Sequence, residues 1–356
     1  MENLELILEE FRGKKVFVTG HSGFKGSWLS SILDKYGVIT KGYSLKPNTN
    51  PALYNNIEFS NNHLSVYSDI RDYDKFKKEI LSFEPDFIFH MAAQPLVLES
   101  YKNPRDTYEI NFLGTLNLLE ILKESNLTCT CILITTDKVY KNLELNRAFV
   151  ETDSLGGNDP YSASKASCEI LIDSYYTSFF QDSDINIASA RAGNVIGGGD
   201  WSANRLFPDI IRSIYGSEDF EIRNPSATRP WQHVLEPLAG YLLLALKLQE
   251  NPEKYNGAWN FGPINEDNES VKGIIDKINK AGLKLSLSIN RNKKFKEAKF
   301  LSLDINKAIN NLNWEPKWDT EKSIKKTINW YQKFYNGENV NNLIYDDLIS
   351  YVTDGK

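Results

Sequence analysis

The sequence has little of what fixes metals and disulfides: its 356 residues hold only three cysteines and four histidines. Cys129 and Cys131 alternate along one expected strand and Cys168 falls in an expected helix, so no C-x-x-C pair forms and the thiols read as buried and free. His21, His63, His90 and His233 lack metal-ligand spacing, which argues against zinc, and no metal is expected. Apolar runs approaching the roughly 20 residues that span a bilayer are absent. The acidic, amphipathic start MENLELILEEFRGKK has the wrong chemistry for a signal peptide. A formal charge of -6, from 41 Lys+Arg against 47 Asp+Glu, gives no basic surface for nucleic acid or a membrane. Internal repeats and low-complexity tracts are missing too. What these absences leave is a soluble, cytoplasmic globular protein, in keeping with 41% hydrophobic and 25% charged residues.

What is present is alternation. KKVFVTG, VITKGYSL, HLSVYSD, DFIFHMAA, TCTCILITTD and INIASARAG read as strands. KGSWLSSILDKYG, DYDKFKKEILSF and residues 104–125 and 160–180 read as helices. The pattern predicts an α/β fold, a doubly wound parallel (Rossmann) sheet with helices on both faces. After about residue 194 the texture becomes glycine-rich and mixed, which predicts a smaller α/β substrate-binding lobe. The expected division is 1–193 mainly nucleotide-binding, 194–335 mainly substrate-binding and interleaved with the first, and 336–356 a peripheral tail. The helix at 104–125 carries Tyr108, Ile110, Phe112, Leu113, Leu116, Leu118, Leu119, Ile121 and Leu122 around nearly its whole circumference. Such a helix is covered on more than one side, either by a second copy in a homodimer, the favoured reading, or by the chain's own second lobe.

VFVTGHSGFKGSW places Gly20, Gly23 and Gly26 between the first strand and the next helix. Gly20 permits the tight turn, Gly23 lets backbone approach a pyrophosphate, and Gly26 allows close helix–sheet packing; the helix amino terminus then faces the phosphates. The spacing departs from G-x-G-x-x-G, and a glycine-rich α/β turn without a nucleotide is the alternative. The second strand ends in Ser44 and Lys46 rather than the usual acidic residue, which leaves NAD and NADP both open. Asp69, after the third strand, is either an acceptor for the adenine amino group or a helix N-cap.

Tyr161 and Lys165 form a Tyr-x-x-x-Lys pair that shares one helix face. A nearby ammonium lowers a phenol's pKa, making a base for a sugar hydroxyl. Upstream, a strand ends in Thr136, Asp137 and Lys138, where open α/β sheets place their chemistry. A salt-bridged surface loop is the plainer alternative for the Asp-Lys pair.

Longer stretches carry a resemblance: GHSGFKGSWL, GYSLKPNTNPALY, HMAAQPLV, TTDKVYKN, GGNDPYSASK, RAGNVIGGGDW, RLFPD and RNPSATRPWQHVLEPLAGYL. From about residue 14 to 335 the chain resembles the nucleotide-sugar 4,6-dehydratases of the extended short-chain dehydrogenase/reductase superfamily, in the branch that acts on CDP-glucose. The resemblance implies bound NAD, a nucleotide-sugar substrate, a hydro-lyase reaction and a role in deoxysugar biosynthesis, such as that of lipopolysaccharide O-antigen. It implies that Tyr161 is the base for the sugar 4-hydroxyl, Lys165 its partner on the nicotinamide ribose, and Thr136 a donor to the 4-oxygen. Asp137 is then the acid for the departing 6-hydroxyl and Lys138 the candidate C5 base, standing where related dTDP-glucose enzymes have Glu. Cofactor contacts fall on Gly20, Gly23, Phe24, Lys25, Gly26, Ser44, Asp69, Ile70, Ala92, Ala93, Tyr161 and Lys165. Substrate contacts fall on Gln94, Asn194, Arg205, Arg223, Arg229 and His233, the arginines being suited to phosphate. The rivals are a nucleotide-sugar 4-epimerase, which needs no Asp-Lys pair, a dehydratase for another nucleotide sugar, and a non-catalytic NAD(P)-sensing protein.

Overall fold

The Val-, Ile- and Phe-rich stretches become strands covered on both faces. The computed structural model describes residues 3–143, 147–216, 220–222, 228–229, 231–264, 269–280, 287–289 and 301–354. Helix α1 (Leu4–Glu10) precedes β1 (Lys15–Thr19), α2 (Phe24–Lys35), β2 (Ile39–Ser44), β3 (His63–Tyr67), α3 (Tyr73–Phe83) and β4 (Phe87–His90). Then come α4 (Val97–Lys102), α5 (Pro104–Tyr108), α6 (Gly114–Lys123), β5 (Cys129–Ile134), α7 (Pro160–Tyr175), β6 (Ile185–Ala192), β7 (Asn194–Ile196) and α8 (Leu206–Gly216). Next are β8 (Phe220–Ile222), β9 (Thr228–Arg229), β10 (Trp231–His233), α9 (Leu235–Glu250), α10 (Pro252–Tyr255) and β11 (Gly257–Phe261). The chain closes with β12 (Glu269–Ser270), α11 (Val271–Lys280), β13 (Leu287–Ile289), α12 (Asn306–Leu312), α13 (Thr320–Tyr335) and α14 (Val340–Thr353).

Seven strands form the expected parallel sheet in the order β3-β2-β1-β4-β5-β6-β11. Alternate residues serve opposite faces. Val16, Val18, Phe89 and Ile132 pack with Trp28 and Leu29 of α2 and Leu238 and Leu242 of α9. Phe17, Ile88, Cys131 and Leu133 pack with Phe76 of α3, Leu118 and Leu122 of α6, and Ile172 of α7. All three cysteines are free and buried. The strand order reverses between β1 and β4, so a crevice opens at the carboxyl ends of those strands, where doubly wound sheets hold ligands.

The helix at 104–125 runs through α5 and α6 with one wide π-type turn, Glu109–Leu113, between them. A third core, with Ile196, Phe207, Ile210, Trp231, Ile274 and Ile328, holds β7, β10, α8, α11 and α13 together as a second lobe. The chain leaves and returns: α9 lies back on the sheet and β11 becomes its edge strand. The expectation of a peripheral tail is wrong. Val340, Leu343, Ile344, Leu348 and Tyr351 recur at helical spacing along α14 and are buried in the same core as α2 and α9. Asn339 caps the helix by accepting from the Asn342 amide at 3.3 Å.

Candidate active site

The crevice is a single cavity of about 1900 Å³. That exceeds the roughly 300–1,000 Å³ of an ordinary small-ligand pocket and leaves room for two ligands side by side. One end is a cradle built by the glycines. Gly20 sits at φ +72, and a Cβ there would stand 2.8 Å from the Ala92 amide nitrogen; a Cβ at Gly26 would fall on the Gly20 carbonyl oxygen. Only glycine therefore lets α2 close onto the end of β1. Gly23 is the N-cap of α2 and supplies no side-chain cap, so the first-turn amides and the positive end of the helix dipole open onto the cavity. Phe24, Lys25, Ser44, Asp69, Ile70, Ala92 and Ala93 line the same region. Asp72, not Asp69, caps α3, accepting from the Lys75 amide at 3.2 Å. Asp69 is left at the cavity wall, where Arg71 donates to both its oxygens and holds its carboxyl below the usual range.

At the other end β5 stops and α7 starts. Pro160 stands at the first position of α7 and Asp159 and Ser162 form a capping box, so the helix begins one residue before Tyr161. Tyr161 and Lys165 then share the inward face, 8% and 4% exposed. Lys165 Nζ donates to the Ile134 carbonyl at 3.1 Å, which ties the helix to the end of β5. The expected depression of the Tyr161 phenol is not found: burial pushes it up to about 12, with the Thr136 hydroxyl pulling the other way. Burial also lowers the Lys165 ammonium, while Cys168 and Glu169 favour its charge. Asp137 is fully buried; its Oδ1 accepts from Thr136 Oγ1 and Lys138 Nζ, both at 2.9 Å, and its Oδ2 has no partner among the described residues. Thr136 and Lys138 line the cavity while Asp137 lies directly behind them, and an orphaned buried carboxylate oxygen there is a feature that stability alone does not explain. Lys138 Nζ also reaches Asn194 Oδ1 at 3.3 Å.

A glycine cradle, a Tyr-x-x-x-Lys helix and a buried Thr-Asp-Lys strand end around one cavity match a known family: the model for GDP-mannose 4,6 dehydratase fits residues 17–327. The chain belongs to this family. It is 42% identical over 336 residues to the CDP-glucose 4,6-dehydratase of Salmonella typhimurium, covering 93% of this chain and 94% of that protein. It is 25% identical to the dTDP-glucose 4,6-dehydratase of Haemophilus influenzae, covering 89% of this chain and 97% of the other. Among solved structures it resembles a dTDP-glucose 4,6-dehydratase from Bacillus anthracis in complex with NAD, with TM-score 0.74, 21% identity and 91% and 98% of the two chains covered. It also resembles a UDP-glucose 4-epimerase from Thermotoga maritima with UDP-glucose, with TM-score 0.78, 22% identity and 90% and 99% covered. At those identities the two structures speak for the fold.

Within this dehydratase-family frame not every expected ligand reaches the cavity. Asn194 and Arg205 line it, Arg205 while donating to Asp200 at 3.1 Å. His233 does not: it is fully buried, packed edge-on against Trp28 and Trp318, and burial pushes its imidazole down to about 3. On β10 its ring sits against Trp28 of α2 and Trp318, just ahead of α13, which makes it a core residue. Gln94 is spent on its own loop, its amide donating to Thr107 Oγ1 at 2.9 Å and Leu96 O at 3.1 Å while its oxygen accepts from Leu96 N at 2.6 Å. Arg223 lies outside the described residues, and of Arg229 only the backbone, in β9, is described.

Sequence reasoning missed the supports. Asn111, in the π-type turn, accepts from the Gln94 amide at 2.8 Å and donates to Ser164 Oγ at 2.9 Å, joining the β4 loop to α7. Glu169, one turn past Lys165, accepts from Thr135 Oγ1, from Ser189 Oγ at 2.7 Å and from Arg191 at 2.7 Å. Arg191 goes on to the Tyr140 hydroxyl at 2.9 Å. An Asn among apolar residues where a helix widens, and a Glu four residues after the lysine, were the available signals.

Proposed function

We propose that the protein catalyses the NAD-dependent 4,6-dehydration of a nucleotide hexose, CDP-glucose, to the 4-keto-6-deoxy sugar. The observation that carries this reading is the buried Thr136-Asp137-Lys138 strand end beside Tyr161 and Lys165, one oxygen of Asp137 lacking a partner. An epimerase has no leaving group to protonate and gains nothing from that carboxyl. The choice of CDP-glucose rests on the 42% identical relative.

The cradle of Gly20, Gly23 and Gly26 with Ser44 and Asp69 would hold the dinucleotide, and NAD when bound supplies a hydride acceptor at C4 and the hydride returned to C6. Thr136 would donate to the 4-oxygen, and Tyr161 would receive the 4-hydroxyl proton. Oxidation at C4 makes the C5 hydrogen acidic, and Lys138 is the candidate to remove it. Asp137, hydrogen-bonded by Thr136 and Lys138, would deliver a proton to the departing 6-hydroxyl, so water leaves. Asn194 and Arg205 face the nucleotide diphosphate, Arg205 as a phosphate donor. The cytoplasmic setting, the deoxysugar pathway and a homodimer go with this reading. The dimer is supported by Tyr108 and Leu113 on the α5–α6 helix, which remain 39% and 43% exposed rather than covered by the second lobe.

The test is CDP-glucose deuterated at C4. Label should reach C6 of a 4-keto-6-deoxy product with no net NADH formed, whereas label returned to C4 of an epimerised sugar would show the epimerase instead.

A further inference from the structure

Two buried charges take no part in the steps assigned above. Glu169 on α7 and Arg191 on β6 are 4% and 3% exposed, and Arg191 donates to Glu169 Oε2 at 2.7 Å. Neither lines the cavity. A buried ion pair often adds little net stability over apolar side chains of the same shape, so what matters is what the pair holds. Glu169 belongs to the helix that carries Tyr161 and Lys165, one turn beyond the lysine. Those two turns grip consecutive residues at the end of β5. Lys165 Nζ donates to the Ile134 carbonyl at 3.1 Å, and Glu169 accepts from the Thr135 hydroxyl. Ser189 of β6 donates to the same carboxylate at 2.7 Å. The next residue along the chain is Thr136, the first of the Thr136-Asp137-Lys138 segment. Beyond the far end of that segment Arg191 takes hold of Tyr140. It donates to the Tyr140 hydroxyl at 2.9 Å, and its guanidinium carbon stands 5.0 Å from the ring centre. Tyr140 in turn donates to Asn260 Oδ1 on β11 at 2.7 Å.

One ion pair therefore brackets the segment, through Thr135 just before it and Tyr140 just after it. We propose that Glu169 and Arg191 are positioning residues that fix Thr136-Asp137-Lys138 against the Tyr161-Lys165 face, so that oxidation at C4 and loss of the 6-hydroxyl proceed from one pose of the sugar. This rests on the dehydration proposed above, which asks two groups of side chains on different elements to act on adjacent carbons in succession. Reacting atoms misplaced by about 1 Å cost up to about 10²-fold in rate. Thr136 serves the 4-oxygen and lies next to the near bracket. Asp137 and Lys138 serve C5 and C6 and lie toward the far one. Cutting the bracket at Tyr140 should therefore impair elimination more than oxidation, and cutting it at Thr135 should do the reverse.

The experiment follows bound NADH near 340 nm through a single turnover of CDP-glucose on the intact, NAD-loaded protein. The rate of its rise reports oxidation and the rate of its decay reports elimination. Their ratio does not depend on how much of the protein is folded, so a merely structural role would leave it unchanged. In Tyr140→Phe the decay should slow about tenfold relative to the rise. Glu169→Met/Arg191→Met exchanges the pair for apolar side chains and should also shift the ratio. Tyr140 lines the cavity, so Tyr140→Phe is measured in that double variant too. There it should have no further effect, whereas a direct contact of its hydroxyl with the sugar would act in both backgrounds. Thr135→Val and Thr135→Ser carry the test if the double variant does not fold. Val should slow the rise relative to the decay, and Ser, which keeps the hydroxyl, should restore the wild-type ratio. A wild-type ratio in Glu169→Met/Arg191→Met, an equal effect of Tyr140→Phe in both backgrounds, or a Thr135→Ser protein no better than Thr135→Val overturns the proposal. A wild type that forms neither bound NADH nor the 4-keto product would strike the proposed function itself.

Discussion

At the scale of single residues, the chemistry concentrates on Asp137. Asp137→Asn keeps the shape of the side chain but cannot deliver a proton to the 6-hydroxyl. C4 oxidation should continue while elimination slows by about 10²–10⁴, so enzyme-bound NADH should accumulate and absorb near 340 nm during a single turnover. Tyr161→Phe should show no such build-up, because the first transfer is itself impaired. Full dehydration by Asp137→Asn would move the acid role to another group. At the cradle, Gly26→Ala places a methyl on the Gly20 carbonyl, and NAD affinity measured by titration should drop by at least tenfold. These residues were legible because each lies where the sequence breaks its own period: a glycine triplet after a strand, a charged pair after an apolar run. His233 misled for the same reason. A histidine near arginines reads as a phosphate ligand, but its neighbours in space are Trp28 and Trp318, far apart from it in sequence.

At the scale of elements, the six expected strands and the helices between them appear at their expected places: the inner strands, buried on both faces, read as continuous apolar runs, while the half-exposed edge strand β3 is marked by its β-branched and aromatic residues. What the sequence withheld is which element meets which. The stretch 336–356 was expected to be a peripheral tail, and nothing local says that it folds as α14, returns to α2 and offers Tyr351 to Glu236 on α9. Glu236 is fully buried and accepts from the Tyr351 hydroxyl at 2.6 Å and the Trp318 amide at 2.8 Å. Burial nonetheless pushes its carboxyl up to about 7. Since the folded chain holds this proton more tightly than the unfolded one, the stabilisation is fully present below about pH 4.5 and is lost as the pH rises toward 7. Asp347 of α14, raised to about 6 chiefly by burial, acts in the same direction. His21, His63, His90 and His233, whose imidazoles burial holds far below their ordinary value, act in the opposite direction between pH 5 and 7, so the Glu236 contribution is read as a difference between two proteins. Relative to wild type, the Tm of Glu236→Gln should gain as the pH rises from 5 to 8, measured by thermal melts. An equal slope in both proteins would show that Glu236 does not titrate in this range.

At the scale of the whole molecule, the interleaving of the two lobes has a consequence for assembly. Because α9 and β11 return to the sheet and α14 seals α2, that face of the sheet is covered by the chain's own elements. The opposite face carries α5, α6 and α7, and there Leu113 and Ile170 remain 43% and 60% exposed, with Phe179 just past the end of α7 at 48%. Large apolar side chains left exposed on two adjacent helices are what an association surface would present. A twofold pairing of these helices with those of a second copy would cover them with the same surface, as isologous dimers do. The protein should therefore sediment as a dimer at micromolar concentration. Ile170→Glu would place an uncompensated charge in the apolar seam, a cost of several kcal/mol if the seam is dry, and should yield a monomer. Ile170 is exposed in the single chain, so this monomer should keep the far-ultraviolet circular dichroism of the wild type. A wild-type monomer at that concentration, or an Ile170→Glu variant that stays dimeric, would remove this face as the interface.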